Sequence, residues 1–215
     1  MKQIASFTVA AALLLLGGCN WLGIRGNGHV VTDQRAIPDF TEFSASGGMK
    51  VEWRSGPPSL AITTDENLLQ YIQSSVSGSK LRLRTHDHIR PTHHIRVTIT
   101  SPKLNGAELS GAVDLVAHNL SGSKFYVRGT GASDITVDGS VDELLADITG
   151  AGDLRAKSLL VKTAEISVTG AGDAVVNVSD ALRVSITGAG DVVYYGNPKT
   201  LEKHVVGAGS VTRKQ

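Results

Sequence analysis

Apolar and polar residues alternate along most of this chain, and in its second half the alternation recurs at a nearly fixed step. A short phrase marks the step: Ser110-Gly111-Ala112-Val113-Asp114, Thr130-Gly131-Ala132-Ser133-Asp134 and Thr149-Gly150-Ala151-Gly152-Asp153, then Thr169-Gly170-Ala171-Gly172-Asp173, Thr187-Gly188-Ala189-Gly190-Asp191 and Val206-Gly207-Ala208-Gly209-Ser210. The leading glycines lie 18 to 20 residues apart. Six, four and two residues before them stand Phe125/Val127/Gly129, Leu144/Ala146/Ile148, Ala164/Ile166/Val168, Leu182/Val184/Ile186 and Leu201/Lys203/Val205. Four residues after them comes a further column, Leu115, Ile135, Leu154, Ala174, Val192 and Val211. Alternation with period two is the strand signature, one face toward a core and one toward water. The repeat is too short for a helix pair and lacks the leucine-rich consensus. These columns predict an all-β fold, a right-handed β-helix or β-solenoid with coils of about 19 residues stacked ~4.8 Å apart.

The first half reads less regularly. Strands are expected around Val51 and Trp53, at Leu60–Thr64, at Lys80–Thr85 with Leu81 and Leu83 inward, and at Ile95–Thr100 with Ile95, Val97 and Ile99 inward. One short helix is predicted after Asp65, its N-cap, with Leu68, Leu69 and Ile72 on one face. Gly56-Pro57-Pro58 marks a turn, and the stretch from 20 to about 35 reads as a tether. The first half is expected to cover one open end of the array. Toward the other end the paired tyrosines Tyr194 and Tyr195 are expected to pack on the final coil, and Arg213-Lys214-Gln215 to discourage further pairing.

Met1-Lys2 followed by the apolar run Ile4–Leu16 has the length of a signal-peptide core and is too short to span a bilayer. It ends in Leu16-Gly17-Gly18-Cys19, which resembles a bacterial lipobox. That resemblance implies a cleaved leader over residues 1–18, lipidation of Cys19, a tether over 19–35 and a folded body over 36–215. Cys19 is the single cysteine of the chain, so no internal disulfide framework exists. Asn20 after the cysteine suggests an outer-membrane destination.

Two sets of residues could carry chemistry. His86, Asp87, His88, His93 and His94 crowd one polar hairpin loop, where imidazoles and a carboxylate could hold Zn²⁺ or simply be solvated. Asp114, Asp134, Asp153, Asp173 and Asp191 would stack in a row that Ser210 ends. Like charges ~5 Å apart need compensation. Each carboxylate could cap amides of its own turn, or the row could take Ca²⁺. A row of carboxylates is also the raw material of a glycosidase, but identical residues in every coil, with no basic or aromatic residue recurring beside them, favour a structural role.

Composition narrows the picture further. Of 215 residues 24 are glycine and 6 proline without a three-residue period, so tight turns and not collagen are indicated. A net charge of +1 gives no reason to expect nucleic-acid binding. Residues 20–105 carry ten Lys/Arg against seven Asp/Glu and residues 106–215 ten against thirteen, a modest asymmetry.

The chain as a whole resembles the head GIN domain family described from autotransporter adhesins. The resemblance rests on Phe43, the Leu81-Arg82-Leu83 strand and Ile95–Leu104 running into the first Ser-Gly-Ala. It continues through the serial Gly-Ala-Gly-Asp turns to Val193–Pro198 and Gly207–Ser210, and spans about residues 36–215. It implies a β-helix-like domain on the cell envelope and brings no catalytic residues; no autotransporter barrel is present in this sequence. The expected role is a non-enzymatic binding or adhesion domain with a protein or glycan ligand and a lipid-anchored membrane contact. The alternatives are a periplasm-facing structural or assembly protein and, more distantly, a carbohydrate-active enzyme.

Overall fold

The computed structural model describes residues 23–215; Cys19 and the leader expected over residues 1–18 lie outside them. Strands β1 (Ile24–Arg25) and β2 (Val30–Arg35) precede the long β3 (Glu42–Ser55). Next come β4 (Ser59–Asp65), a 3-10 helix at Glu66–Tyr71, β5 (Ile72–Ser77), β6 (Lys80–Thr85), β7 (Ile89–Arg90) and β8 (Ile95–Ser101). The second half is β9 (Gly106–Gly131), β10 (Ile135–Gly150), β11 (Leu154–Gly170), β12 (Ala174–Gly188), β13 (Asp191–Tyr195), β14 (Thr200–Gly207) and β15 (Ser210–Arg213). Thirteen strands form one large mixed sheet, and β1 with β7 forms a separate parallel pair.

Each repeat of the second half pairs in parallel with the next, glycine on glycine: Gly131 beside Gly150, Gly150 beside Gly170, Gly170 beside Gly188 and Gly188 beside Gly207. A 16-residue strand such as β10 is roughly 50 Å of chain, yet the next repeat begins one strand spacing away, ~4.8 Å. The chain must therefore bend back within every repeat. It does so at the Gly-Ala-Gly-Asp corner and at register shifts such as that between Val137 and Gly139. The inward columns close into one core. Leu144, Ile148, Leu154, Ile166, Leu182, Ile186 and Val192 are each at most 1% exposed.

The order of rows is not the order of the chain. β3 lies between β8 and β9, so Gly47 stands beside Gly111 and begins the same glycine column, at φ +118°. Ser46-Gly47-Gly48-Met49 is thus a further row of the array. Its other neighbours are β6, along Glu42–Ser46, and β8, along Met49–Ser55. β6 and β8 are therefore not a hairpin, as the sequence suggested for the loop between them. They lie end to end along β3, and residues 86–94 replace the corner that Gly47 makes in β3.

Two further expectations are corrected. The stretch read as a tether contains two strands; β2 pairs antiparallel with β4, Val30 opposite Asp65 and Arg35 opposite Leu60. Alternating side chains of Val30–Arg35 along an antiparallel partner suffice for pairing despite the glycines before it. The helix after Asp65 is a single 3-10 segment, and Asp65 does not cap it. Leu68 is buried as expected, and Ile72 is buried at the head of β5.

The two ends of the array differ. At one end β4, β2 and β5 add antiparallel strands beside β8 and β6, covering Leu60, Ile62, Leu81 and Leu83. At the other, β14 pairs with β12 and β15 with β13, with no further strand beyond them among the described residues. Tyr194 is buried there, and Lys157 Nζ sits 4.2 Å from the Tyr195 ring centre, a cation–π contact that holds the second tyrosine on the last rows. Val205 is 40% exposed and Val206 52%. Trp53, at the heart of the first half, donates Nε1–H to Ser101 Oγ at 2.9 Å, so the largest buried ring leaves no polar atom orphaned.

Candidate functional site

The aspartate row forms, and its compensation runs between repeats. Asp153 Oδ1 accepts the backbone N–H of Asp173 at 3.2 Å, Asp173 Oδ1 that of Asp191 at 2.8 Å, and Asp191 Oδ1 that of Ser210 at 2.8 Å together with the Ser210 hydroxyl. The expectation of capping within each turn is corrected: the amide served lies one repeat on. The parallel register explains it, because each carboxylate projects toward the corner stacked beside its own. The first two aspartates are matched by cations, Asp114 by Lys50 at 3.3 Å and Asp134 by Arg155 at 3.2 Å. Arg155 reaches Asp153 as well, at 2.9 Å. These bonds answer the repulsion that a bare row of carboxylates would suffer.

The histidines do not gather. His86 Nδ1 lies 3.0 Å from Asp87 Oδ2, its Nε2 faces the Gln70 carbonyl at 3.3 Å, and its ring meets Tyr71 edge-on. His93 Nδ1 is 3.1 Å from Thr92 Oγ1. His88 contributes its carbonyl to Ile24 N–H, and His94 lines an open groove of about 570 Å³ with Lys50, Arg96 and Asp114. Among the described residues no three His, Cys, Asp or Glu side chains converge as a metal site, in this loop or along the aspartate row.

What orders the loop is Asp65, whose role sequence reasoning missed. It is 1% exposed, and its carboxylate accepts Gly28 N–H at 2.7 Å, Thr92 N–H at 2.8 Å and Thr92 Oγ1–H at 2.7 Å. Burial alone would raise its pKa, but these bonds outweigh it and hold the carboxyl below its ordinary value. The residue ties residues 26–28, the end of β4 and the histidine segment into one knot. At Gly26 an added Cβ would fall 2.3 Å from the carboxylate.

An open groove lies across β6, β3 and β9, about 570 Å³ in volume. Register places Ser44 beside Arg82 and Ser46 beside Arg84 on one side of β3, and Glu108 and Ser110 on the other. Arg128 and Thr130 complete it one repeat further. Lys80 Nζ meets Glu108 Oε2 at 2.6 Å, and Arg128 Nε meets Asp147 Oδ2 at 3.3 Å. Beneath its edge Tyr126 lies over Gly106, where a Cβ would sit 1.9 Å from the ring, and donates its hydroxyl to Glu42 at 2.9 Å. Burial and the two carboxylates Glu42 and Glu108 push the phenol well above its ordinary pKa.

Repeat rows, glycine corners and a polar outward face define an all-β repeat domain. The family profile described as "Putative auto-transporter adhesin, head GIN domain" matches residues 39–198, and the chain belongs to that family. Among solved structures it is similar to a "putative adhesin" from Bacteroides fragilis at 22% identity, covering 89% of this chain and 100% of that one with a TM-score of 0.76. It is also similar to a "putative adhesin" from Parabacteroides merdae at 21% identity, 89% and 99% coverage and TM-score 0.56. A third, a "putative lipid binding protein" from Parabacteroides distasonis, shares 22% identity over 89% and 99% with TM-score 0.54. At these identities the likeness speaks for the fold. No curated protein matches the chain.

Proposed function

We propose that this chain is a non-enzymatic, lipid-anchored envelope protein whose repeats wind as a right-handed β-solenoid and present a binding or adhesive face. The observation that carries the reading is the state of the aspartate row, the one recurrent chemical feature. Its carboxylates bond the next repeat's amides or pair with Lys50 and Arg155, which suits a scaffold repeated from row to row. Family membership supports the adhesive role. The right-handed sense follows the strong preference of parallel crossovers for that hand. Anchoring rests on Cys19 behind its lipobox-like run, and Asn20 directs the protein to the outer membrane. Among the described residues no helix is long and apolar enough to cross a membrane.

Replacing Cys19 with Ala is expected to move the protein from the membrane to the soluble fraction; unchanged fractionation would remove the anchor from the proposal. Exposure is tested by protease shaving of intact cells, with an epitope inserted at Gly78, the open turn between β5 and β6 where nothing lies within 4 Å. Loss of the epitope while a periplasmic control survives places the domain outside. Protection until the outer membrane is opened would hand the protein to a periplasmic structural or assembly role.

A further inference from the structure

We propose that the groove across β6, β3 and β9 binds an acidic sugar chain through Arg82 and Arg84, an inference that rests on the binding-domain reading above. The two arginines stand two residues apart on one strand, hence on the same face and roughly 7 Å apart, and both are exposed. Neither has a carboxylate partner among the described residues. The nearest candidate, Glu108, is held by Lys80. Along the repeats the rule is the opposite: Arg128 faces Asp147, Arg155 faces Asp134 and Asp153, and Arg183 faces Glu202 one row over. Strands β9 to β12 thus match their outward arginines with acids in adjacent rows, whereas this pair stays unmatched at the mouth of the groove, as Arg96 of β8 and Arg213 of β15 do elsewhere on the sheet.

The lining indicates the occupant. Guanidinium forks suit carboxylate or sulfate oxygens, which they grip by two parallel bonds. Between and beyond them Ser44, Ser46, Ser110 and Thr130 offer hydroxyls that both donate and accept, as sugar hydroxyls require. Among the described residues no aromatic side chain lines the groove, so a nucleobase finds nothing there to stack on. β3 is paired on both sides, with β6 and with β9, so an extended acidic peptide finds no free strand edge to join. A polyhydroxylated chain carrying spaced anions needs neither.

The test is calorimetric titration of the full chain in detergent with hexagalacturonate, using maltohexaose as the neutral match. The acidic hexamer is expected to bind at least about tenfold more tightly, and to weaken several-fold between about 50 and about 300 mM salt as screening sets in. The Arg82→Ala/Arg84→Ala double variant should lose about tenfold or more with an unchanged thermal midpoint. The double Arg→Lys variant, which keeps charge but not the fork, should fall between. Absence of binding, equal affinity for maltohexaose, or an unaffected alanine double variant would overturn the proposal. So would an inert hexamer alongside arginine-dependent binding to phosphatidylglycerol vesicles, which would give the surface to a membrane. The titration does not depend on where the protein sits, so its failure and failure of the surface-exposure test are separate events.

Discussion

Single residues decide more here than their exposure suggests. Gly150 adopts φ +119°, and a Cβ on it would lie 2.3 Å from the carbonyl oxygen of Gly131. Gly150→Val should therefore lower stability by about 3–5 kcal/mol, through strain and a backbone clash together, in a denaturant melt. Gly48→Ala, where nothing lies within 4 Å, should stay within about 0.5 kcal/mol. Asp65→Asn puts an amide donor among Gly28 and Thr92 donors and should cost about 2–3 kcal/mol. Because the folded carboxyl is held below its usual value, its contribution is present above the unfolded value near about 4 and is lost as pH falls through the lower folded one. Asp138, lowered by Asn119 N–H and His118 against its burial, follows the same sign. Acid titration of the thermal midpoint should show part of the wild-type decline missing in the Asp65 variant. Sequence could not have revealed this residue's task. Asp before a short apolar run is the ordinary signature of a helix cap, and its true partners, Gly28 and Thr92, lie 37 and 27 residues away.

At the scale of elements the sheet obeys its register. Since Gly150 and Gly170 occupy equivalent corners, deleting residues 151–170 joins Gly150 to Ala171-Gly172-Asp173 and restores the same phrase. That variant should fold with a β-type circular dichroism spectrum and a lower but cooperative melt. Deleting 151–160 instead should abolish cooperative folding, because half a repeat throws every inward column onto the wrong row. Asp191→Ala frees Ser210 from its cross-row bond and should speed hydrogen exchange in β15, at about 1 kcal/mol of stability. The repeat columns were legible in advance because one local pattern recurs six times. The place of β3 was not: Ser46-Gly47-Gly48-Met49-Lys50 lacks the alanine and the aspartate that mark other corners, and pairing between β3 and β9 skips over everything from β4 to β8. The arginine groove was hidden for the same reason, as its residues come from three separated segments that only register unites.

The whole molecule is asymmetric, flanked by antiparallel strands at one end and by the bare parallel stack at the other. Amides of β14 and β15 should exchange before those of β9 and β10, which have neighbours on both sides. An open parallel edge with Val205 and Val206 in the solvent would ordinarily invite any passing strand. The glycine columns impose a condition on the visitor. Gly207 follows Gly188 so closely that a Cβ on it would lie 2.1 Å from the Gly188 oxygen, and Gly209 stands likewise 2.2 Å from that of Gly190. A strand continuing the stack in this register would meet the same wall at Gly207, the column that holds glycine in every row from Gly47 onward. Only a chain bearing glycine opposite Gly207 can seat there, so the corner that bends each repeat also works as a password, and most sequences in a crowded envelope do not carry it.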